Sequence, residues 1–181
     1  MCGIVGYTGK LQAGPVIIDG LAKLEYRGYD STGMAINDGA KLQIEKAVGR
    51  LNVLENLTHD GSTMPGTAGI GHTRWATHGT PSDVNSHPQF NTARTIAVVQ
   101  NGIIENYIQL KEKLENSGYQ FVSETDTEVI AHLLNHYYKK YEKDPMRAIV
   151  HSLQRMEGSY AIAVMFEDQP DEVYAVRKDC P

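Results

Sequence analysis

The sequence contains little cysteine and no long hydrophobic run. Only two of its 181 residues are cysteines, Cys2 and Cys180. Two thiols cannot build a disulfide framework, and at most they could form one bridge between the two ends of the chain. No stretch approaches the roughly 20 apolar residues that cross a bilayer, and no basic region with a long apolar run opens the chain. We therefore expect a cytoplasmic protein with no membrane partner.

An excess of positive charge is also missing. The formal net charge is −5, with 22% charged and 41% hydrophobic residues, which is ordinary for one soluble globular domain. Without a basic patch, nucleic acid and anionic membrane surfaces are excluded as main partners. The stretch from Gly66 to Gly71 lacks the lysine and the context of a phosphate-binding loop, so we expect no nucleotide cofactor.

The histidines do not match a metal-binding pattern. His72, His78 and His87 lie within sixteen residues, and Asp126 could add an oxygen ligand. Their spacing fits neither a helical His-x-x-x-His pair nor a Cys-x-x-Cys clamp. We expect no metal site.

Hydrophobic periodicity predicts an α+β fold in one domain over residues 1–181. Many short strands are joined by hairpin-length turns, and the helices do not alternate one for one with them, which favours mainly antiparallel sheets covered by helices on their outer faces. A Thr125-x-x-Glu128 pattern predicts a capping box for a long helix. Strands are predicted at 4–7, 34–36, 42–44, 68–73, 95–100, 119–122, 160–166 and 172–177, and helices at 15–26, 51–57, 107–114, 125–138 and from 145 onward.

The last predicted strand ends four residues before the chain does, and no closing element follows it. We therefore expect the chain to be a piece of a longer polypeptide.

Cys2 is the first candidate for chemistry. If Met1 is removed, Cys2 carries a thiol and a free α-amine on the same carbon, so that a nucleophile and a proton acceptor are adjacent. The amine titrates at about 7.7–8.0 and an unperturbed thiol at about 8.5, so we expect a modest environmental shift to give a useful thiolate fraction. The ordinary alternative is a small buried cysteine that opens a core strand.

Three further polar segments follow predicted strand ends: 74–79, Asn101-Gly102 and 124–128. An Asn side-chain amide and the backbone N–H of the next glycine can stabilise the oxyanion that forms when a thiolate attacks an amide. Arg74 and Asp126 can hold the carboxylate and the ammonium of an amino acid. Each of these residues also has an ordinary explanation. Asn-Gly is typical of a turn, and Trp75 could be a core residue. Asp126 could cap a helix or complement its dipole, and Arg74 could form a surface or interdomain ion pair.

These segments also carry a resemblance to a known family. The strings 2–6 (CGIVG), 26–31 (YRGYDS), 72–79 (HTRWATHG), 101–106 (NGIIEN) and 123–128 (SETDTE) resemble, in sequence and order, the glutaminase domain of the glucosamine-6-phosphate synthase family, also called glutamine-fructose-6-phosphate aminotransferases. That family belongs to the class II N-terminal-nucleophile glutamine amidotransferases. The resemblance covers nearly the whole chain.

The resemblance implies a four-layer αββα sandwich that hydrolyses L-glutamine to glutamate and ammonia through a γ-glutamyl thioester. By position, Cys2 is the nucleophile with its amine as base, and Asn101 and Gly102 form the oxyanion hole. Arg74 and Asp126 hold the substrate, and Arg27 supports the loop beside the nucleophile. The segment 74–79 is a mobile flap over the substrate, in which Thr77 helps Arg74 to hold the carboxylate. Trp75, His78 and Gly79 take part in its closure or in backbone contacts.

The resemblance also implies partners that this chain lacks. In the family, two sugar-isomerase domains follow, bind fructose 6-phosphate and use the ammonia for amino sugar synthesis, and the full-length enzyme is a homodimer. One departure is visible, because Gln100 stands where the family often has His, and we expect a small effect from a side chain that faces away from the site. The rival functions are a different N-terminal-nucleophile hydrolase, such as an acylase, and a non-catalytic regulatory domain.

Overall fold

The computed structural model describes residues 2–76 and 79–180, which form two antiparallel sheets and five α-helices. The strands are β1 (Gly3–Thr8), β2 (Ser31–Asn37), β3 (Leu42–Val48), β4 (Ala68–Arg74), β5 (Gln89–Phe90), β6 (Ile96–Ile104), β7 (Gly158–Phe166) and β8 (Tyr174–Lys178). The helices are α1 (Ala13–Leu24), α2 (Leu51–Thr58), α3 (Tyr107–Asn116), α4 (Thr127–Lys140) and α5 (Pro145–Leu153), and a 3-10 helix spans Glu25–Arg27.

The two sheets each contain four strands and stack face to face. The first has the order β1-β4-β2-β3 and the second β5-β6-β7-β8, with every neighbouring pair antiparallel. Strand residues alternate between the two faces of each sheet. In β2, for example, Met34 and Ile36 pack under α1 and α2, whereas Ala35 packs between the sheets. The helices α3, α4 and α5 cover the outer face of the second sheet. This confirms the expected α+β, four-layer αββα sandwich.

Alanine supplies four of the eight buried hydrophobic residues in the cluster between the sheets, and the others are Leu42, Ile70, Val99 and Met165. Ala35 and Ala68 of the first sheet pack there with Ala97 and Ala163 of the second, and all four are buried. Small side chains leave little thickness between the two backbones. A polar side chain of moderate length can therefore reach from one sheet to the other, and the candidate site uses this proximity.

Glycines allow α1 to lie close to the first sheet. A Cβ atom at Gly71 of β4 would lie 2.4 Å from Cγ2 of Ile17, and one at Gly20 of α1 would lie 2.8 Å from Cγ1 of Val5. Both separations are shorter than van der Waals contact, so a larger residue at either position would displace the helix. Gly20 lowers the stability of α1 as an isolated helix, but the close packing of α1 on the sheet requires a glycine there.

Most sequence predictions of elements are confirmed, including the β2–β3 and β7–β8 hairpins and the start of α5, where the Asp144 carboxylate accepts a hydrogen bond from the Arg147 N–H at 2.9 Å. The short strand β5 was not expected from its polar, Pro-containing surroundings.

Cys2 and Cys180 are both free thiols. None of the helices in the described ranges is long and apolar enough to span a membrane.

One prediction about a strand end was wrong. Asn101-Gly102 does not end a strand, because β6 continues to Ile104 and stays paired with β7. Gly102 has a φ of 101°, and a Cβ there would lie 2.1 Å from the Ser159 carbonyl oxygen. The pair resembles a turn in sequence because it contains a glycine that this close approach requires.

The segment 119–122 is not a strand, because backbone N–H groups near the end of this segment donate hydrogen bonds to a side chain. The buried Glu128 carboxylate accepts hydrogen bonds from the N–H groups of Val122 at 2.9 Å and Ser123 at 2.6 Å, and from the Ser123 hydroxyl at 2.7 Å. The capping box is therefore half formed. The Thr125 hydroxyl accepts from the Glu128 N–H at 3.3 Å, but the Glu128 carboxylate binds residues further upstream.

We predict that Glu128→Gln lowers stability at neutral pH and has a smaller effect in acid. Its hydrogen bonds hold the pKa of Glu128 below the usual value of 4.5, although burial opposes them. A carboxyl group with a lowered pKa in the folded state stabilises the protein above its unfolded pKa, and this contribution is lost as the pH falls through the folded pKa. We expect a loss of about 1–3 kcal/mol at pH 7, measured by urea unfolding.

The exposed Glu112→Gln on α3 is the matched control, with little expected change at either pH. A stability difference between wild type and Glu128→Gln that stays constant from pH 7 to well below 4.5 would contradict this role of the Glu128 charge.

Candidate active site

The pairing of β1 with β4 brings Cys2 next to the residues that follow β4. Gly3 lies opposite Thr73 in the ladder, and its N–H donates to the Thr73 hydroxyl at 3.1 Å. Cys2 therefore lies beside Trp75, whose backbone N–H donates to the Cys2 Sγ at 3.1 Å. The Sγ is also 3.5 Å from the Trp75 carbonyl oxygen, which can accept the thiol proton. The thiol is half-buried and contacts both the backbone N–H and the backbone carbonyl of Trp75.

The surroundings of Cys2 favour the neutral thiol. Burial raises the pKa of Cys2 above that of an ordinary thiol, and this effect outweighs the Trp75 N–H and the Arg74 charge, which both lower it. The thiol of the chain that retains Met1 is therefore shifted away from the thiolate. The expected thiolate fraction concerns Cys2 after Met1 is removed and stays a prediction. A neutral thiol needs a base that removes its proton during attack. A free α-amine on the same residue would be such a base.

Asn101 reaches from the second sheet to the backbone of the nucleophile. Its Nδ2 donates to the Cys2 carbonyl oxygen at 3.1 Å, and its Oδ1 is 2.9 Å from Nε2 of His72 in β4. The amide is thus held at both ends by residues of the first sheet. An amide nitrogen has a second N–H, which can donate to an oxyanion beside the thiol. Gly102, the next residue, is exposed and follows in the same strand.

Arg74 and Asp126, the expected substrate-binding pair, are both buried, with 3% and 5% of their surface exposed. The Arg74 Nη2 lies 3.5 Å from the Gly79 carbonyl oxygen. Burial lowers the pKa of Arg74 from its usual value, whereas the charges of Asp30, Cys2 and Asp126 raise it, so these groups lie within electrostatic range of the guanidinium. The expectation of an ordinary surface ion pair does not fit a buried arginine.

Asp126 does not cap α4, although it occupies the residue before the helix. Its Oδ2 instead accepts a hydrogen bond from the Ile104 N–H, at the end of β6, at 2.8 Å. The helix-cap alternative is therefore wrong. This hydrogen bond connects the loop that carries Asp126 to β6, the strand that carries Asn101. The candidate oxyanion donor and the candidate ammonium acceptor are therefore both attached to β6.

The segment that follows β4 is partly described. Trp75 is 46% exposed and lies edge-on to the Tyr29 ring at 5.3 Å, so it is not a core residue. The Ala76 N–H donates to the Asp30 carboxylate. Gly79 has a φ of 75°, and a Cβ there would lie 2.7 Å from Nδ2 of Asn85. The expected contributions of Thr77 and His78 lie outside the described residues.

Arg27 lies near the nucleophile without being on a sheet. It is half-buried in the 3-10 helix and, with Cys2 and Asn101, lines a cavity of about 630 Å³ that extends between β1 and the β7–β8 hairpin. This position is compatible with support of the loop beside Cys2.

No group of three or more His, Cys, Asp or Glu residues suited to a metal ion occurs in the described part of the chain.

Sequence reasoning missed the roles of Asp30 and Asn85. The Asp30 N–H donates to the Arg74 carbonyl at 3.2 Å, while its carboxylate accepts from Ala76, so it holds the segment after β4 at two points. The Asn85 Nδ2 donates to Thr80 O at 2.9 Å and to Glu124 Oε2 at 3.0 Å, and links that segment to the Asp126 loop. An Asp or Asn in a Gly- and Ser-rich loop is a signal for such side-chain to backbone bonds, but it does not identify the partner.

Comparison with known proteins adds an independent finding. A family model described as a glutamine amidotransferase domain matches residues 72–180. Glutamine-fructose-6-phosphate aminotransferase (isomerizing) of Clostridium tetani is 56% identical over 181 residues, as is that of Caldanaerobacter subterraneus, and each alignment covers 100% of this chain. The chain spans 29% of the length of these relatives.

A solved structure shares the fold. Glutamine phosphoribosylpyrophosphate amidotransferase from B. subtilis, complexed with ADP and GMP, superposes with a TM-score of 0.78 at 30% identity, over 92% of this chain and 35% of that one. The two-sheet arrangement is therefore common to chains that differ in most of their residues.

We predict that the Cys2 thiol of the chain that retains Met1 titrates above 9.0, because burial destabilises the thiolate. Arg74→Gln should raise the pKa further, because the guanidinium charge lowers it. The measurement is the pH dependence of iodoacetamide alkylation, with the adduct mapped to Cys2 rather than Cys180. A pKa below 9.0 in wild type, or a lower value in Arg74→Gln, would contradict this electrostatic description.

Proposed function

The chain belongs to the glutamine amidotransferase domain family, and from this premise we propose that it hydrolyses L-glutamine to glutamate and ammonia through a γ-glutamyl thioester on Cys2. The observation that carries the proposal is the placement of Asn101. Its amide donates to the Cys2 carbonyl oxygen, and both residues line one cavity, which supports a role of Asn101 as donor to the oxyanion formed during attack on an amide.

The first half of the proposed reaction forms the thioester. After removal of Met1, the α-amine of Cys2 accepts the thiol proton while Sγ bonds to the side-chain carbonyl carbon of glutamine. The Asn101 Nδ2–H and the Gly102 N–H stabilise the resulting oxyanion, and loss of one such donor costs about 10²–10³-fold in rate. The protonated amine then gives its proton to the departing nitrogen, the C–N bond breaks, and ammonia leaves.

The second half returns the enzyme to its starting state. The α-amine, now neutral, accepts a proton from water as the water oxygen attacks the thioester carbon. The same two donors stabilise the second oxyanion. The C–S bond then breaks, Sγ regains its proton from the amine, and glutamate leaves. One water is consumed for each glutamine, with no net change in the enzyme.

Charge complementarity supports a free amino acid as substrate. Arg74 supplies a buried cation for the α-carboxylate, and Asp126 a buried anion for the α-ammonium. The proposed flap contains Trp75, Thr77, His78 and Gly79, and Arg27 steadies the loop at the cavity wall. A buried charge pair of this kind disfavours the acylase alternative, because N-acyl substrates lack the ammonium group.

The wider role of the polypeptide is also a proposal. Two curated relatives at 56% identity are named glutamine-fructose-6-phosphate aminotransferases and are more than three times as long as this chain. We propose that C-terminal isomerase domains use the released ammonia to convert fructose 6-phosphate to glucosamine 6-phosphate, in a cytoplasmic homodimer. This chain alone would release ammonia and would not make the amino sugar.

Gln100 faces away from the proposed reaction centre. Its Oε1 accepts a hydrogen bond from the Thr127 hydroxyl of α4 at 2.6 Å, whereas the Asn101 side chain points to the first sheet. The alternation of side chains along β6 separates the two. We propose that Gln100 acts on the packing of α4 and has little direct effect on glutamine hydrolysis.

We predict that the glutamine analogue 6-diazo-5-oxo-norleucine forms one adduct, on Cys2 of chains that have lost Met1. Peptide mapping by mass spectrometry checks both points. Cys2→Ala should abolish turnover and labelling while the chain stays folded. Hydrolysis by chains that all retain Met1, or labelling only at Cys180, would overturn the assignment, and a folded chain without turnover or labelling would favour the regulatory-domain alternative.

We predict that Asp126→Asn separates binding from folding. An Asn oxygen can still accept the Ile104 hydrogen bond, so the melting temperature should change little, whereas KM for glutamine should rise about 10- to 100-fold because an ionic contact is lost. Asp126→Ala should also lose about 1–3 kcal/mol of stability. An unchanged KM in Asp126→Asn would show that Asp126 serves only the fold.

A further inference from the structure

The buried imidazole of His72 contacts the candidate oxyanion donor, yet the proposed reaction uses no histidine at that position. His72 lies in β4, only 1% exposed, and points into the layer between the two sheets. Its Nε2 is 2.9 Å from Oδ1 of Asn101. Such a side chain is costly to bury unless it is hydrogen-bonded, so its presence calls for a physical explanation.

The hydrogen-bond roles in this contact follow from the partners. The Cys2 carbonyl oxygen can only accept, so the end of the Asn101 amide that faces it must be the Nδ2 donor. The other end, Oδ1, then faces His72 and can only accept. The proton of the imidazole must therefore reside on Nε2. One tautomer of His72 and one orientation of the Asn101 amide satisfy both contacts.

The environment keeps this tautomer in place. Burial lowers the pKa of His72 to about 4, so the ring is neutral at physiological pH and carries one N–H, the one that Asn101 requires. The ring of His87 lies beside that of His72, tilted by 37° at a centroid distance of 4.4 Å. The Thr127 hydroxyl oxygen lies 2.7 Å from the His87 Nε2.

We propose that His72 is a positioning residue for glutamine hydrolysis, which holds the Asn101 amide in the one orientation that presents an N–H to the oxyanion. The inference rests on the proposed function. Without the His72 contact, only the hydrogen bond to the Cys2 carbonyl oxygen holds the amide, and the barrier to turning it about its last side-chain bond is lower. An oxygen in place of the donor would repel the oxyanion and remove its stabilisation. His72 acts through Asn101 and makes no contact with substrate.

The test compares His72→Leu, which removes the donor, with His72→Gln, whose amide nitrogen lies near the position of Nε2. We expect His72→Leu to lower kcat for glutamine about 10- to 100-fold with KM within about twofold, because only the transition state carries the oxyanion. His72→Gln should recover activity to within about fivefold of wild type. Iodoacetamide alkylation of Cys2 forms no oxyanion and should proceed at the wild-type rate in both variants.

His87→Gln is the matched control. It changes the neighbouring buried ring, whose contacts are with His72 and Thr127 rather than with Asn101. It should lower the melting temperature yet leave kcat within about threefold of wild type. In an Asn101→Ala background, His72→Leu should have almost no further effect on kcat, since the group that it positions is absent. If His72→Leu does not fold, His72→Asn takes its place in the test. The side chain of asparagine is too short to reach Asn101, so the same loss of kcat is expected.

Three results would overturn the inference: wild-type kcat in His72→Leu, an equal loss of kcat in His87→Gln, or an undiminished effect of His72→Leu in the Asn101→Ala background. A wild-type chain that hydrolyses no glutamine would instead overturn the proposed function, and the positioning role with it. The two failures are therefore distinguishable by the wild-type measurement alone.

Discussion

The side-chain amide of Asn101 joins the two sheets at the nucleophile, and the geometry of the candidate site depends on this contact. Asn101 belongs to β6 in the second sheet, whereas its two partners, the Cys2 carbonyl and the His72 imidazole, belong to the first. A displacement of one sheet relative to the other would break both hydrogen bonds together. The spacing of the sandwich is thus a condition for oxyanion stabilisation, because the donor must be in place before the charge develops.

Small residues provide that spacing. Alanines fill much of the layer between the sheets, and the glycines of α1 and β4 let the outer helix lie close to the first sheet. Packing of this kind tolerates little added volume. The groups that would bind the ends of the substrate are buried at strand ends and loops, where Arg74 completes β4 and Asp126 is bonded to the end of β6. A rigid frame therefore carries the reactive groups, and the exposed Trp75 lies on the segment that follows.

Much of the fold could be predicted from the sequence, because hydrophobic periodicity and turn residues report local structure. The hairpins, the five helices and the first strand were found in this way. The segment 119–122 could not be, since the Val122 N–H binds the Glu128 carboxylate six residues further along the chain, and neither could the continuation of β6, since Gly102 has the sequence signature of a turn. The residue types that glutamine hydrolysis needs could be recognised in the sequence, and the order of the motifs grouped them into one candidate site. The His72 contact depends on pairing between sheets, which periodicity along one strand does not reveal.

The central claim is that Cys2 attacks glutamine with its own α-amine as the base. The most direct test is rapid-quench mass spectrometry of the processed chain mixed with glutamine. The prediction is a transient mass increase of one γ-glutamyl group, located on the peptide that begins with Cys2. A variant with one alanine inserted between Met1 and Cys2 keeps the thiol but lacks its free amine, and it should form no such adduct. Glutamine hydrolysis without any adduct on Cys2, or an adduct that forms equally fast in the inserted variant, would contradict the account.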